Sequence, residues 1–127
     1  MTKIEVVLSA EYGIMFLHDS KEEPQVPSNA GECSVTYTDT CLAFTVLSYV
    51  DGDAKITLCD GCFVSSLKER FTGKIFCPSK SLSLSDSNGF AFASVPLIED
   101  FAQVSLWMSE ERNCDAVECI VHNMATF

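Results

Sequence analysis

Cys59-Asp60-Gly61-Cys62 has the two-residue gap of a zinc half-site, and Cys114 and Cys119 are the pair that would complete a four-thiolate set. The same stretch has a second reading. Asp60-Gly61 is a two-residue hairpin signal, because both central positions of a type I′ turn take positive φ. Cys114 and Cys119 fall in a segment patterned as a strand. A redox CxxC relies on a helix N-terminus to lower its thiol pKa, and the flanks Ile56-Thr57-Leu58 and Phe63-Val64 are patterned as extended chain. A disulfide framework is disfavoured, since the seven cysteines are odd in number. Cys33, Cys77 and Cys119 lie in apolar alternations, where a free thiol behaves as a small hydrophobe. The expectation is reduced, mostly buried cysteines.

His18 and His122 are the available imidazole bases, and His18 adjoins Asp19. No nucleophile elbow or oxyanion-type glycine turn accompanies them, so both read as surface or packing residues and the chain reads as a non-enzyme without a cofactor. Carboxylates recur at predicted strand ends: Asp19, Glu22, Glu23, Asp51, Asp53, Asp60 and Asp86. Clustered loops of this kind can collect the six to eight oxygens that calcium wants, although EF-hand spacing is absent and turns favour Asp for local hydrogen bonds anyway. Calcium at the acidic loops, or structural zinc at the cysteines, is therefore the alternative reading.

The segments that must position these residues alternate with a period of two. Lys80-Ser81-Leu82-Ser83-Leu84-Ser85 breaks at Asp86-Ser87-Asn88-Gly89, and Phe90-Ala91-Phe92-Ala93-Ser94-Val95 follows and stops at Pro96. Such alternation is what a half-buried strand needs, because successive side chains point to opposite faces. Strands are expected over 4–9, 14–18, 33–38, 41–50, 55–59, 74–77, 81–85, 90–95, 101–108 and 116–123. A long Pro-containing loop, 19–32, separates the second from the third. Phe63, Leu67 and Phe71 recur every four, which fits a short helix as well as a strand and leaves 63–71 ambiguous. Expected core residues are Phe44, Val46, Leu58, Leu82, Leu84, Phe92, Val104 and Leu106. The pattern predicts an all-β single-domain antiparallel two-sheet β-sandwich, with a closed or partly open barrel as the alternative.

The charge is lopsided. Eighteen Asp and Glu against eight Lys and Arg give a net charge of -10, of which residues 1–64 carry -7 and residues 65–127 carry -3. A field of that sign repels nucleic acid and anionic lipid and draws basic partners. Glu5 and Glu11 interrupt the early apolar run, against a signal peptide, and no 18 consecutive residues are apolar. A cytoplasmic protein with no membrane or nucleic-acid partner is expected. An open edge strand offers a route to a homodimer through main-chain hydrogen bonds.

An early aromatic strand (Tyr12, Phe16), a Pro-containing acidic loop (Glu22 to Pro27), a central apolar strand (Leu42 to Leu47) and a last pair of strands, 101–108 and 116–122, parted by a polar loop, stand in this order. In this the chain resembles the competence-protein J group, small cytosolic β-sandwich proteins that inhibit a DNA-entry nuclease. Where that group tends to place a glycine before an aromatic in the penultimate strand, this chain has Glu99-Asp100-Phe101. No functional residue carries over. The resemblance implies a protein that blocks another protein, here an acidic inhibitor or immunity protein facing a basic nuclease or toxin. The partner-binding residues expected from the acidity of residues 1–64 are Glu22, Glu23, Asp51, Asp53 and Asp60.

Overall fold

In Ser81-Leu82-Ser83-Leu84-Ser85 the alternation sends Leu82 and Leu84 into the main core, while the serines stand on the opposite face of their sheet. The same logic, repeated, builds the molecule. A computed structural model describes residues 3–10, 12–23, 25–110 and 114–125. Among them are ten strands: β1 (Lys3–Leu8), β2 (Ile14–Asp19), β3 (Val35–Tyr37), β4 (Cys41–Thr45), β5 (Ala54–Asp60), β6 (Lys68–Phe76), β7 (Ser81–Asp86), β8 (Ala91–Pro96), β9 (Phe101–Met108) and β10 (Ala116–Val121). They form two five-stranded sheets, β1-β5-β10-β9-β6 and β3-β4-β2-β7-β8. The protein is an all-β two-sheet sandwich.

The inner faces meet in one continuous core. Leu17, Leu42, Phe44, Leu82 and Leu84 of the second sheet pack with Ile56, Leu58, Val104, Leu106, Val117 and Val121 of the first. Each expected core residue is buried except Phe92, which is only partly so. Its register explains this: Leu84 pairs with Ala93 and Ser85 with Ala91, so Phe92 is the extra residue of a bulge on an edge strand.

The outer faces are covered in part. On the second sheet Phe16, Cys41 and Ala43 form a smaller cluster with Ile14 and Ala30, so the loop after β2 lies back over its own sheet. The Thr38 hydroxyl donates to the Gln25 carbonyl, 2.8 Å away, and holds that loop down. On the first sheet the cover is the stretch 61–67, where the Ser65 hydroxyl donates to Glu118 Oε1 (2.8 Å) and Lys3 lies over the Phe63 ring.

Some local expectations are corrected here and one ambiguity is resolved. Asp60-Gly61 is not a hairpin turn. Both edges of β5 are occupied, by β1 and by β10, so the chain cannot fold back beside it and instead crosses the sheet to reach the far edge as β6. Gly61 accordingly lacks a positive φ, and the Asp60 carboxylate accepts the Cys62 N–H in a local Asx turn. The ambiguous segment 63–71 divides: its first half is this irregular crossing, and β6 begins at Lys68. The antiparallel sandwich expected from the sequence holds, with one parallel pairing between named strands, β5 with β10. The strand expected over 41–50 also ends early, at Thr45, where the chain leaves the second sheet for the first.

Candidate partner-binding surface

Glu22 and Glu23 follow β2 directly, and a buried aspartate holds them in place. The Asp19 carboxylate accepts hydrogen bonds from the Lys21 N–H (2.7 Å), the Ser79 N–H (2.8 Å) and the Ser79 hydroxyl (2.8 Å). Burial disfavours its charged form. The hydrogen bonds from Ser79, Lys21 and the Glu22 N–H outweigh that and hold the pKa below the usual aspartate value. The chain therefore turns sharply, and the exposed Glu22 and Glu23 stand at the mouth of an open cleft of about 490 Å³. Phe16, His18, Ser20, Lys21, Ser85 and Asp86 are among the other residues that line it.

From Ser20 in this cleft a chain of hydroxyls runs over the outer face of the second sheet. Ser83 Oγ lies 2.8 Å from both Ser20 Oγ and Ser94 Oγ, and Ser20 Oγ lies 2.6 Å from Ser81 Oγ. His18 Nδ1 donates to the Asp19 carbonyl (2.7 Å), which leaves Nε2 to accept from the Ser85 hydroxyl (2.7 Å). His122 makes the equivalent contact on the other sheet, with Nε2 2.8 Å from Ser105 Oγ. Ser85 and Ser105 are only 3% and 6% exposed, so both hydroxyls belong to the sheet-face networks.

Asp51 and Asp53 lie exposed in the connection between β4 and β5. The Ser48 hydroxyl donates to Asp51 Oδ2 (3.3 Å) and the Ser9 hydroxyl to Asp53 Oδ1 (2.7 Å). Register separates them from Glu22 and Glu23. Thr45 at the end of β4 faces Ile14 at the start of β2, whereas the Glu22-Glu23 turn follows the other end of β2. Asp60 ends β5, seven residues beyond Asp53, so it belongs to the Glu22-Glu23 end of the sandwich but on the other sheet. Its carboxylate faces the Cys62 N–H and it is only 8% exposed, so it serves the turn more than the surface. The five sequence-selected residues thus occupy two opposite ends.

The connection holding Asp51 also carries Tyr49 and Val50, which the expected strand 41–50 assigned to a sheet. Tyr12 (63% exposed), Tyr49 (58%) and Val50 (71%) project from the β1–β2 and β4–β5 connections at one end. The signal for them is bulky apolar residues where a turn ordinarily carries polar ones.

All seven cysteines are free thiols, five buried and two, Cys33 and Cys62, exposed. The burial expected of Cys33 is corrected: it precedes β3, outside the sheet, in an isolated bridge with Ala30. Burial raises the Cys41, Cys59 and Cys77 thiols to about 12 and Cys114 to about 11, and pushes Cys119 up further in the same direction. Cys59 Sγ donates to the Cys119 carbonyl and Cys114 Sγ to the Thr45 carbonyl. Among the described residues no three His, Cys, Asp or Glu side chains are grouped to hold a metal ion, so the zinc and calcium alternatives acquire no ligand geometry. Among the same residues no helix is long and apolar enough to cross a membrane.

This architecture places the chain among small two-sheet β-sandwich proteins. Among solved structures it is similar to that of ComJ from Bacillus subtilis, described as an inhibitor of the DNA-degrading activity of NucA, at a TM-score of 0.68 and 13% identity over 97% of this chain and 96% of that one. It is also similar to the product of crocagin biosynthetic gene J, at a TM-score of 0.53 and 10% identity over 95% and 99% of the two chains. No family model and no curated protein matches. The resemblance to the competence-protein J group read from the strand order therefore holds at the level of fold.

Proposed function

We propose that this protein is a non-catalytic inhibitor that binds a basic protein, with a DNA-degrading nuclease as the class of target. The observation that supports this most is the whole-length fold likeness to an inhibitor of a DNA-degrading activity. The net charge of -10 agrees with it, because nucleases that grip DNA present basic grooves that an acidic surface can occupy. Exposed carboxylates at the two ends, Glu22 and Glu23 at one and Asp51 and Asp53 at the other, supply the field. Cytoplasmic residence belongs to the same reading, since an intracellular inhibitor protects the cell from its own nuclease or toxin.

The test is inhibition of a panel of purified nucleases, basic ones together with NucA, with plasmid DNA as substrate. Stoichiometric inhibition that weakens as salt rises past about 0.15 M is expected. Undiminished DNA degradation at low salt with excess protein across that panel overturns the reading.

A further inference from the structure

Two connections at one end of the sandwich are tied into a single platform by the main chain. The Ala10 carbonyl accepts from both the Gly13 N–H (3.3 Å) and the Tyr49 N–H (2.9 Å), and the Val46 N–H donates to the Gly13 carbonyl (2.9 Å). The Asp51 N–H closes back on the Ser48 carbonyl (2.9 Å), and Ala10 and Ser48 form an isolated β-bridge. A third connection joins in, since the Leu47 N–H donates to the Cys114 carbonyl (3.0 Å). From this braced base Tyr12, Tyr49 and Val50 project with more than half of each exposed.

Burying such side chains is what a folded chain ordinarily does, and here the backbone holds them outward. Other exposed apolar residues stand on separate elements (Val7, Val26, Val64, Ile98, and Phe76 as a single aromatic near Glu22 and Glu23) or pack on a neighbouring ring, as Tyr37 does on Phe71 and Phe90 on Phe92. Around the platform lie carboxylates from two of its connections: Asp51 and Asp53 from one, Glu110 and Asp115 from the other, all exposed. Lys55, on the strand leaving the platform, is directed to Glu5, 3.7 Å away. Protein interfaces commonly combine aromatic anchors at the centre with a charged rim, and tyrosine faces attract Arg and Lys heads.

We infer that this platform is the contact surface for the basic protein, with Tyr12, Tyr49 and Val50 as anchors and Asp51 and Asp53 as the rim that meets Arg or Lys side chains. The inference rests on the reading of the chain as a binder of a basic protein and adds where and by which residues it binds. Bracing by the main chain means little ordering is left to do on association, which favours affinity.

Amide NMR titration of the full chain with the tripeptide amide acetyl-Arg-Leu-Arg-amide tests the surface without any nuclease. Shifts concentrated at Tyr12 and residues 48–53 are expected, abolished in a Tyr12→Ala/Tyr49→Ala variant and retained in Glu22→Gln/Glu23→Gln. Shifts centred on Glu22 and Glu23, or spread evenly over the acidic turns, overturn the inference. With an inhibited nuclease in hand, the tyrosine variant should weaken binding at least roughly tenfold. Native affinity in that variant, folded by circular dichroism, removes the platform while leaving the inhibitor reading standing. Peptide binding at the platform with no nuclease inhibited does the reverse.

Discussion

Asp19 is the residue whose charge the fold most visibly uses. Its carboxylate takes hydrogen bonds from Lys21 and Ser79 and so joins the end of β2 to the turn that precedes β7. Asp19→Asn replaces one accepting oxygen by a donor and leaves an N–H or hydroxyl facing it, for a loss of about 1–3 kcal/mol in urea unfolding. Because the folded-state pKa lies below the unfolded one, the contribution of Asp19 is complete above the ordinary aspartate range. It is lost as the pH falls through the depressed folded value, so the gap between wild type and variant should close in acid. The cysteines supply a second expected outcome. Cys33 and Cys62 should react with a thiol reagent in the native protein, and the five buried thiols only after unfolding, because burial keeps them protonated.

At the scale of elements, turn residues act through local geometry while strand pairing is set by the sheets. Gly13 has φ +68° in the β1–β2 connection, and a side chain there would bring Cβ within 2.9 Å of the Val46 carbonyl oxygen. Gly89, in the β7–β8 hairpin, has φ +82° but nothing within 4 Å of that position. Gly13→Ala should therefore lower the midpoint of chemical unfolding distinctly more than Gly89→Ala, which carries only backbone strain of about 1 kcal/mol. The hairpin at Asp86-Ser87-Asn88-Gly89 was legible in the sequence because its signal is local: Asp86 Oδ1 accepts the Asn88 and Phe90 N–H groups within the turn itself. Asp60-Gly61 carries an equally good local signal and makes no hairpin, since its outcome rests on which strands already flank β5.

Across the whole molecule, charge and geometry pull apart. The net charge is spread over both ends of the sandwich, so long-range attraction of a basic partner does not by itself select a docking site. Replacing Glu22, Glu23, Asp51 and Asp53 together by Gln and Asn should slow association with an inhibited nuclease and flatten its salt dependence, with folding intact, as stopped-flow mixing would record. Divided into pairs, the substitutions should part company: Asp51→Asn/Asp53→Asn should also speed dissociation, whereas Glu22→Gln/Glu23→Gln should act on the association rate alone. Equal effects on dissociation from both pairs would place the contact elsewhere.

The period-two alternation of residues such as 81–85 and 101–108 determined the all-β class, most strand positions and the inward-facing residues, because strand geometry ties sequence parity directly to burial. Composition likewise determined the net charge. Only the tertiary structure decided that β5 lies between β1 and β10 with one neighbour parallel, since pairing between distant segments leaves no local mark. It alone placed Asp51 and Asp53 at the end opposite Glu22 and Glu23, and brought Tyr12 beside the loop of Tyr49 through a shared carbonyl. Those outcomes depend on which edges are free and which loops the sheets bring together, and a chain specifies them only through the packing of all its strands at once.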